Sequence, residues 1–257
     1  MSFLKKFLTV ALIGAILSSL CYADKGKMSR SERNQHLGEI KAQLALAYFQ
    51  NGDIRNALES IDESTRLNSN SAMAWLIRAQ IYQYMQQPSQ VEQSFQKAFS
   101  TKDLVGETNN NYGWYLCQNN QVAKSINYFD RAIADRTYPQ PQTALMNKGI
   151  CLGDMGRYDE AAQTLQEAIR MSPPNFHFAI KELARIYYKT KNGPLSEQYF
   201  SQYAAKRGDR LEPDALLLGI RIGQLIRNND WVYQYSQELK NNYPTSKELQ
   251  ELLSGAM

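Results

Sequence analysis

From about residue 38 to residue 245, apolar side chains fall at helical spacing in paired runs, and short polar strings separate the two runs of each pair. The strings "NGD" at 51–53, "QQPS" at 86–89, "MGRYDEA" at 155–161, "KNGP" at 191–194 and "RNND" at 227–230 are rich in turn-forming residues. A small residue recurs in the first run of each pair, at Ala45, Ala79, Gly113, Gly149, Ala184 and Gly219, at intervals of 34, 34, 36, 35 and 35. Three residues later stand Tyr48, Tyr82, Leu116, Leu152, Tyr187 and Ile222. The second run supplies Ala57 with Ile61, Val91 with Phe95, Ser125 with Phe129, Ala161 with Leu165, Ser196 with Phe200, and Trp231 with Tyr235. Small residues follow at Ser64, Ala98, Ala132 and Ala168, and Pro139, Pro173 and Pro244 fall at or near unit ends. The spacing predicts six helix–turn–helix units at about 38–71, 72–105, 106–141, 142–176, 177–211 and 212–245. "TSKELQELLSGA" then predicts a last amphipathic helix over 246–257, capped by Thr245 or Ser246, with Leu249, Leu252 and Leu253 covering the final unit.

One helix pair cannot bury its own apolar stripe, so a chain built this way must stack its units into a continuous core. The period and the small/large pattern resemble the tetratricopeptide repeat, which implies an all-α fold: a right-handed superhelix of six repeats with a C-terminal capping helix. The stretch "NNNYGWYLCQNN" at 109–120 fits the third repeat. Gly113 is its close-approach residue, which outweighs the cost of about 1 kcal/mol for glycine against alanine in a helix. Asn119 and Asn120 suit the turn. Trp114, about 100° round from Gly113, points into the concave face or packs on the neighbouring repeat.

A concave face lined by first helices is where a partner peptide or amphipathic helix would lie. Counting from each small residue, the expected lining is Ala42, Leu46 and Phe49, then Leu76, Gln80 and Gln83, then Asn110 and Trp114, then Met146 and Ile150. Lys181, Arg185 and Tyr188 would make the fifth repeat a more basic end.

The chain has 257 residues, 29 Lys/Arg and 25 Asp/Glu, for a formal charge of +4. Without residues 1–20, which hold Lys5 and Lys6, the balance falls to +2, and no basic run suggests nucleic acid. Those first residues read as an export signal: a basic start, an apolar Phe7–Leu17 core too short for the roughly 18–20 residues of a membrane span, then Ser18 and Ser19. Two cuts compete. "SSLC" places Cys21 where a lipid-accepting cysteine would stand, although Leu20 replaces the small residue expected before it, and "CYA" offers a cut after Ala23. The first leaves a lipid-anchored protein and the second a soluble periplasmic one. Residues 21–36 read as a polar tether. Tyr22, rather than Asp, after Cys21 favours the outer membrane.

"NNYGWYLC" at 110–117, with the export signal, the tether and six repeats, resembles the PilF/PilW family of type IV pilus biogenesis lipoproteins over essentially the whole mature chain. The resemblance implies a pilotin-like scaffold that binds the secretin, the outer-membrane channel of the pilus, and promotes its localisation, multimerisation and pilus assembly. The alternative is a general periplasmic repeat adaptor in envelope assembly, unrelated to pili.

Cys117 and Cys151 lie 34 residues apart on the first helices of consecutive repeats, which pack side by side. Their registers differ, four and two residues past the small residue, so a bridge and two buried thiols both stay open on spacing alone. The family resemblance implies a bridge at these repeats. Catalytic chemistry is not expected. Cys151 with His177 is the sole Cys/His pair worth naming, and His177 would cap its helix or face solvent. No phosphate loop, CxxC or H-E-x-x-H motif occurs, and Asp159–Glu160 suit a helix start. With two histidines far apart, no metal, cofactor or small-molecule substrate is expected.

Overall fold

A computed structural model of the chain describes residues 28–171, 177–208 and 210–255. The export signal, Cys21 and the start of the expected tether lie outside the described residues. Thirteen α-helices and no strand occur among the described residues. They group into two compact units that divide after Leu104. The first holds two helix pairs, α1 (Arg30–Gln50) with α2 (Ile54–Leu67) and α3 (Ala72–Tyr84) with α4 (Pro88–Thr101). The second holds α5 (Val105–Gln118) with α6 (Val122–Ala134), α7 (Pro141–Asp154) with α8 (Tyr158–Met171), α9 (Phe178–Lys189) with α10 (Gly193–Arg207), and α11 (Pro213–Ile226) with α12 (Asn229–Asn242). The short α13 (Lys247–Ser254) ends it.

Each pair closes on its small residue. A Cβ on Gly113 would sit 3.0 Å from the Phe129 ring, and one on Gly149 would sit 2.7 Å from Cγ of Leu165. At Gly219 it would sit 2.8 Å from Tyr235 of its own pair and 2.7 Å from Phe200 of the preceding pair. Ala45, Ala79 and Ala184 fill the same position in the other repeats and are fully buried. So are Ile61, Phe129, Leu165 and Phe200 on the second helices, each burial stabilising by about 1.5–3 kcal/mol.

The turns repeat as strictly as the packing. One residue per turn takes a left-handed backbone: Gly52, Gln86, Asn120, Gly156, Lys191 and Arg227. The next N–H reaches back five residues, as Asp53 to the Tyr48 carbonyl (2.9 Å), Gln121 to Leu116 (2.8 Å) and Asn228 to Gly223 (2.8 Å). This closure satisfies carbonyls that the helix end would otherwise orphan. Gly52 and Gly156 meet it without a Cβ penalty, while four longer side chains accept the strain because the flanking helices are already fixed by packing. Asp53, Asn192 and Asn228 then cap the second helices, accepting from the N–H groups of Asn56, Leu195 and Trp231.

Two expectations shift. Helix α1 starts at Arg30, inside the segment read as tether, because Ser29 and Glu32 form a capping box: Glu32 N–H donates to Ser29 Oγ (3.2 Å) and Ser29 N–H to the Glu32 carboxylate (2.8 Å). At the other end Ser246, not Thr245, caps α13. Leu249 and Leu252 pack on the last repeat, while Leu253 is 69% exposed, one residue round the helix from Leu252 and off the packed face.

The glycine contacts yield a test. Gly219→Ala forces Phe200 or Tyr235 to move, a strain of about 1–3 kcal/mol that exceeds the about 1 kcal/mol alanine returns in helix propensity. Denaturant titration is expected to show a net loss of about 1–2 kcal/mol; an unchanged or higher midpoint would contradict the close-approach reading.

Candidate functional site

The residues expected to line a groove divide by register. Those three before the small residue are buried: Ala42, Leu76, Asn110, Met146 and Lys181. Where the cover can be named, it is the next first helix. Ala42 belongs to a core with Ala74, Ile77 and Ile81 of α3. Asn110 accepts a 3.0 Å hydrogen bond from Asn147 of α7. Met146 packs with Ala179, Leu183 and Ile186 of α9, and Lys181 reaches α11. Counting along one helix misses this, because the cover comes from a helix some 35 residues away. Phe49 is also buried, its ring edge-on to Tyr84 at 5.6 Å.

The remainder stays half-exposed. In the first unit these are Leu46, Gln80 and Gln83. In the second they are Trp114, Ile150, Arg185 and Tyr188. Trp114 packs beside Phe129 and the two cysteines, so it both buttresses the core and keeps part of its ring at the surface. Ile150 leans on the α7–α9 core, and Tyr188 carries Lys191 Nζ 5.3 Å above its ring.

The two cations expected to make the fifth repeat a basic end are both matched by carboxylates. Lys181 Nζ lies 2.6 Å from Asp214. Arg185 lies 2.6 Å from Glu182 and 3.2 Å from Asp154. Two cations thus face three carboxylates. Burial pushes the Lys181 ammonium down, but Asp214, Glu182 and Glu212 outweigh it and hold it above its ordinary value. Arg185 behaves likewise, with burial opposed by Glu182 and Asp154. Behind them Tyr203, fully buried, donates its O–H to Glu212, which also takes Arg207 at 2.8 Å; burial, then Glu212, raises the phenol far above its usual range. The Lys181, Tyr203 and Arg207 contacts tie the fifth repeat to the sixth and the Arg185–Asp154 contact ties it to the fourth, while Lys189 and Lys191 stay exposed at the end of α9.

Cys117 and Cys151 form a disulfide with Cα atoms 6.0 Å apart, inside the range such bonds require. With the Asn110–Asn147 bond it makes a double tie between α5 and α7. Cys151 therefore offers no thiolate to His177. That histidine does not reach solvent as a simple cap: its ring is half-buried, 4.6 Å from Phe178 and 5.8 Å from Tyr203. No group of His, Cys, Asp or Glu among the described residues is arranged to hold a metal. A shallow cleft of about 540 Å³ at Glu197 and Ile226–Asp230 contains none of the candidate residues.

Comparison with known proteins follows the same lines. The tetratricopeptide repeat family model matches residues 43–82, 113–176 and 153–215. The chain is 25% identical over 244 residues to the type IV pilus assembly protein PilF of Pseudomonas aeruginosa, covering 95% of this chain and 94% of that one. Among solved structures it is similar to PilW, described as a widely conserved type IV pilus biogenesis factor: 39% identity, TM-score 0.75, and 84% and 98% of the two chains covered. The solved Pseudomonas aeruginosa PilF carries the same fold at 24% identity and TM-score 0.71, with 87% and 99% covered.

The tie between α5 and α7 is open to measurement. Closing a 34-residue separation restricts the unfolded chain by about 3–4 kcal/mol on the chain-entropy account. The Cys117→Ser/Cys151→Ser pair is expected to lower the unfolding free energy by that order. Mass spectrometry of the non-reduced protein should show no free thiol at either position, and two alkylatable thiols would remove the bond.

Proposed function

Because the chain belongs to the tetratricopeptide-repeat family, with the type IV pilus biogenesis proteins PilF and PilW among its homologues, we propose that it is a non-enzymatic, pilotin-like scaffold. In this reading the exported chain is acylated at Cys21 and held on the periplasmic face of the outer membrane. There it binds the type IV pilus secretin and promotes its localisation, multimerisation and pilus assembly. The observation that carries the reading is coverage: the chain aligns with 94% of PilF in sequence and 98% of PilW in structure, so it resembles those proteins along their length rather than in a borrowed repeat.

The half-exposed first-helix residues fit this role chemically. Trp114 and Ile150 offer apolar contact, and Gln80 and Gln83 offer amide donors and acceptors for a polypeptide backbone. With Lys181 and Arg185 already opposed by carboxylates, recognition draws on apolar and amide contacts rather than on these two cations.

Deleting the gene is expected to abolish secretin multimers and surface pili, read on gels and by microscopy. Unchanged multimers and pili would leave the general envelope adaptor as the surviving reading. Trp114→Ala, with its folding checked by circular dichroism, should weaken secretin binding at least about tenfold, as loss of an aromatic anchor does. Cys21→Ser should lose the palmitate label; a wild-type protein that never takes label would remove the anchor.

A further inference from the structure

Helix α1 carries two apolar faces, and only one has a partner within its unit. Gly38, Ala42, Ala45 and Phe49 are buried towards α2 and α3. Leu37, Ile40 and Leu44 are 38%, 47% and 38% exposed. They stand three and four residues apart, so they form one stripe down the helix. Exposed Ala47 extends the stripe towards the turn, and exposed Arg33 and Arg30 extend it towards the chain's start, where Met28 is 49% exposed. The other charges nearby are partly committed: Lys41 pairs with Glu63 at 2.5 Å, and Glu32 is held in the capping box, leaving Glu39 on the flank. The helix is 21 residues long, against 12–15 for α2–α12, and its extra turns at the start carry Arg30, Arg33 and Leu37.

We propose that this stripe rests on an anionic phospholipid surface, the one to which Cys21 would fasten the chain; the proposal builds on the anchor reading above. Reach is the first argument. Cys21 lies eight residues before Ser29, at most about 28 Å of extended chain, so an acylated Cys21 keeps the first turns of α1 beside the bilayer. Shape is the second. The stripe crowns a single convex helix, whereas a partner helix is received in a groove. Chemistry is the third. Leucine and isoleucine suit the acyl boundary, and Arg30 and Arg33 snorkel to phosphates at the end nearest the anchor. A second copy is a poorer occupant: three half-exposed side chains on each side fall well short of the roughly 1,000 Å² that a specific interface buries.

The consequence is orientation. An acyl chain alone sets distance from the membrane but not attitude. The stripe turns one face of the first repeat to the lipid, and Leu46, about 200° round from Leu44, then looks away from it towards any partner.

The test uses the unacylated chain 22–257, which contains every helix described. Flotation with vesicles of phosphatidylethanolamine and phosphatidylglycerol at about 3:1 is expected to carry the protein upward. The triple variant Leu37→Gln, Ile40→Gln, Leu44→Gln should partition on the order of tenfold less, with an unchanged helical spectrum. A wild-type chain that stays at the bottom of the gradient overturns the proposal, as does flotation indifferent to the triple change. So does a dimer that the triple change dissolves, since the stripe would then belong to a second copy. Palmitate labelling of the full chain reads the anchor separately, so failure of one leaves the other standing.

Discussion

The fold depends on one steric constraint: within each helix pair the first helix must come close enough to the second to leave no room for more than a methyl group. Where glycine stands, a Cβ would meet Phe129, Leu165 or Tyr235 of the second helix at 3.0 Å or less. Where alanine stands, it is wholly buried. This approach sets the height at which the second helix presents its large residue, and hence the flank against which the next repeat packs. A larger group at any one position would displace that flank, and the error would pass to the neighbouring repeat, because a repeat is stabilised largely through its neighbours.

The turns and the links between repeats preserve that register. A left-handed residue followed by a five-residue backward hydrogen bond ends every first helix, whether the residue is glycine, asparagine or lysine. Within the second unit, further ties join consecutive first helices: the Cys117–Cys151 bond, Asn147 to Asn110, and Lys181 to Asp214. A buried ion pair adds little net stability, since desolvation offsets attraction, but an unmatched neighbour would leave a charge stranded. Such pairs therefore discriminate which helix may follow which. They also consume the charges that a count along the sequence assigns to a ligand.

Much of this was legible from spacing. The small residues, their large partners and the polar turn strings mark every helix pair, because those positions are dictated inside a single repeat. The capping box was equally plain in Ser29-x-x-Glu32, yet the polar composition around it suggested a tether. What spacing could not resolve was anything decided between repeats. Met146 and Lys181 sit on the expected face of their own helices and are nevertheless covered by the next one. Trp114 was ambiguous for the same reason: it both packs on the disulfide core and keeps part of its ring exposed.

A stacked array also has to end, and its two terminal repeats handle this differently. At the last repeat, α13 supplies Leu249 and Leu252 to the core, Glu251 pairs with Arg221, and the exposed Tyr233 and Leu253 stand singly on different helices rather than as a stripe on one. The outer face of α1 could have been made polar just as simply, since nothing in the packing of Gly38, Ala42, Ala45 and Phe49 requires leucine or isoleucine on the opposite side. Three large apolar side chains in register, on the longest helix and directly after the segment that holds Cys21, run against the rule that terminal faces are polar. Exposed apolar surface of this kind is retained where something apolar meets it. On a helix eight residues from a candidate acyl anchor, the bilayer is the apolar phase that geometry brings within reach.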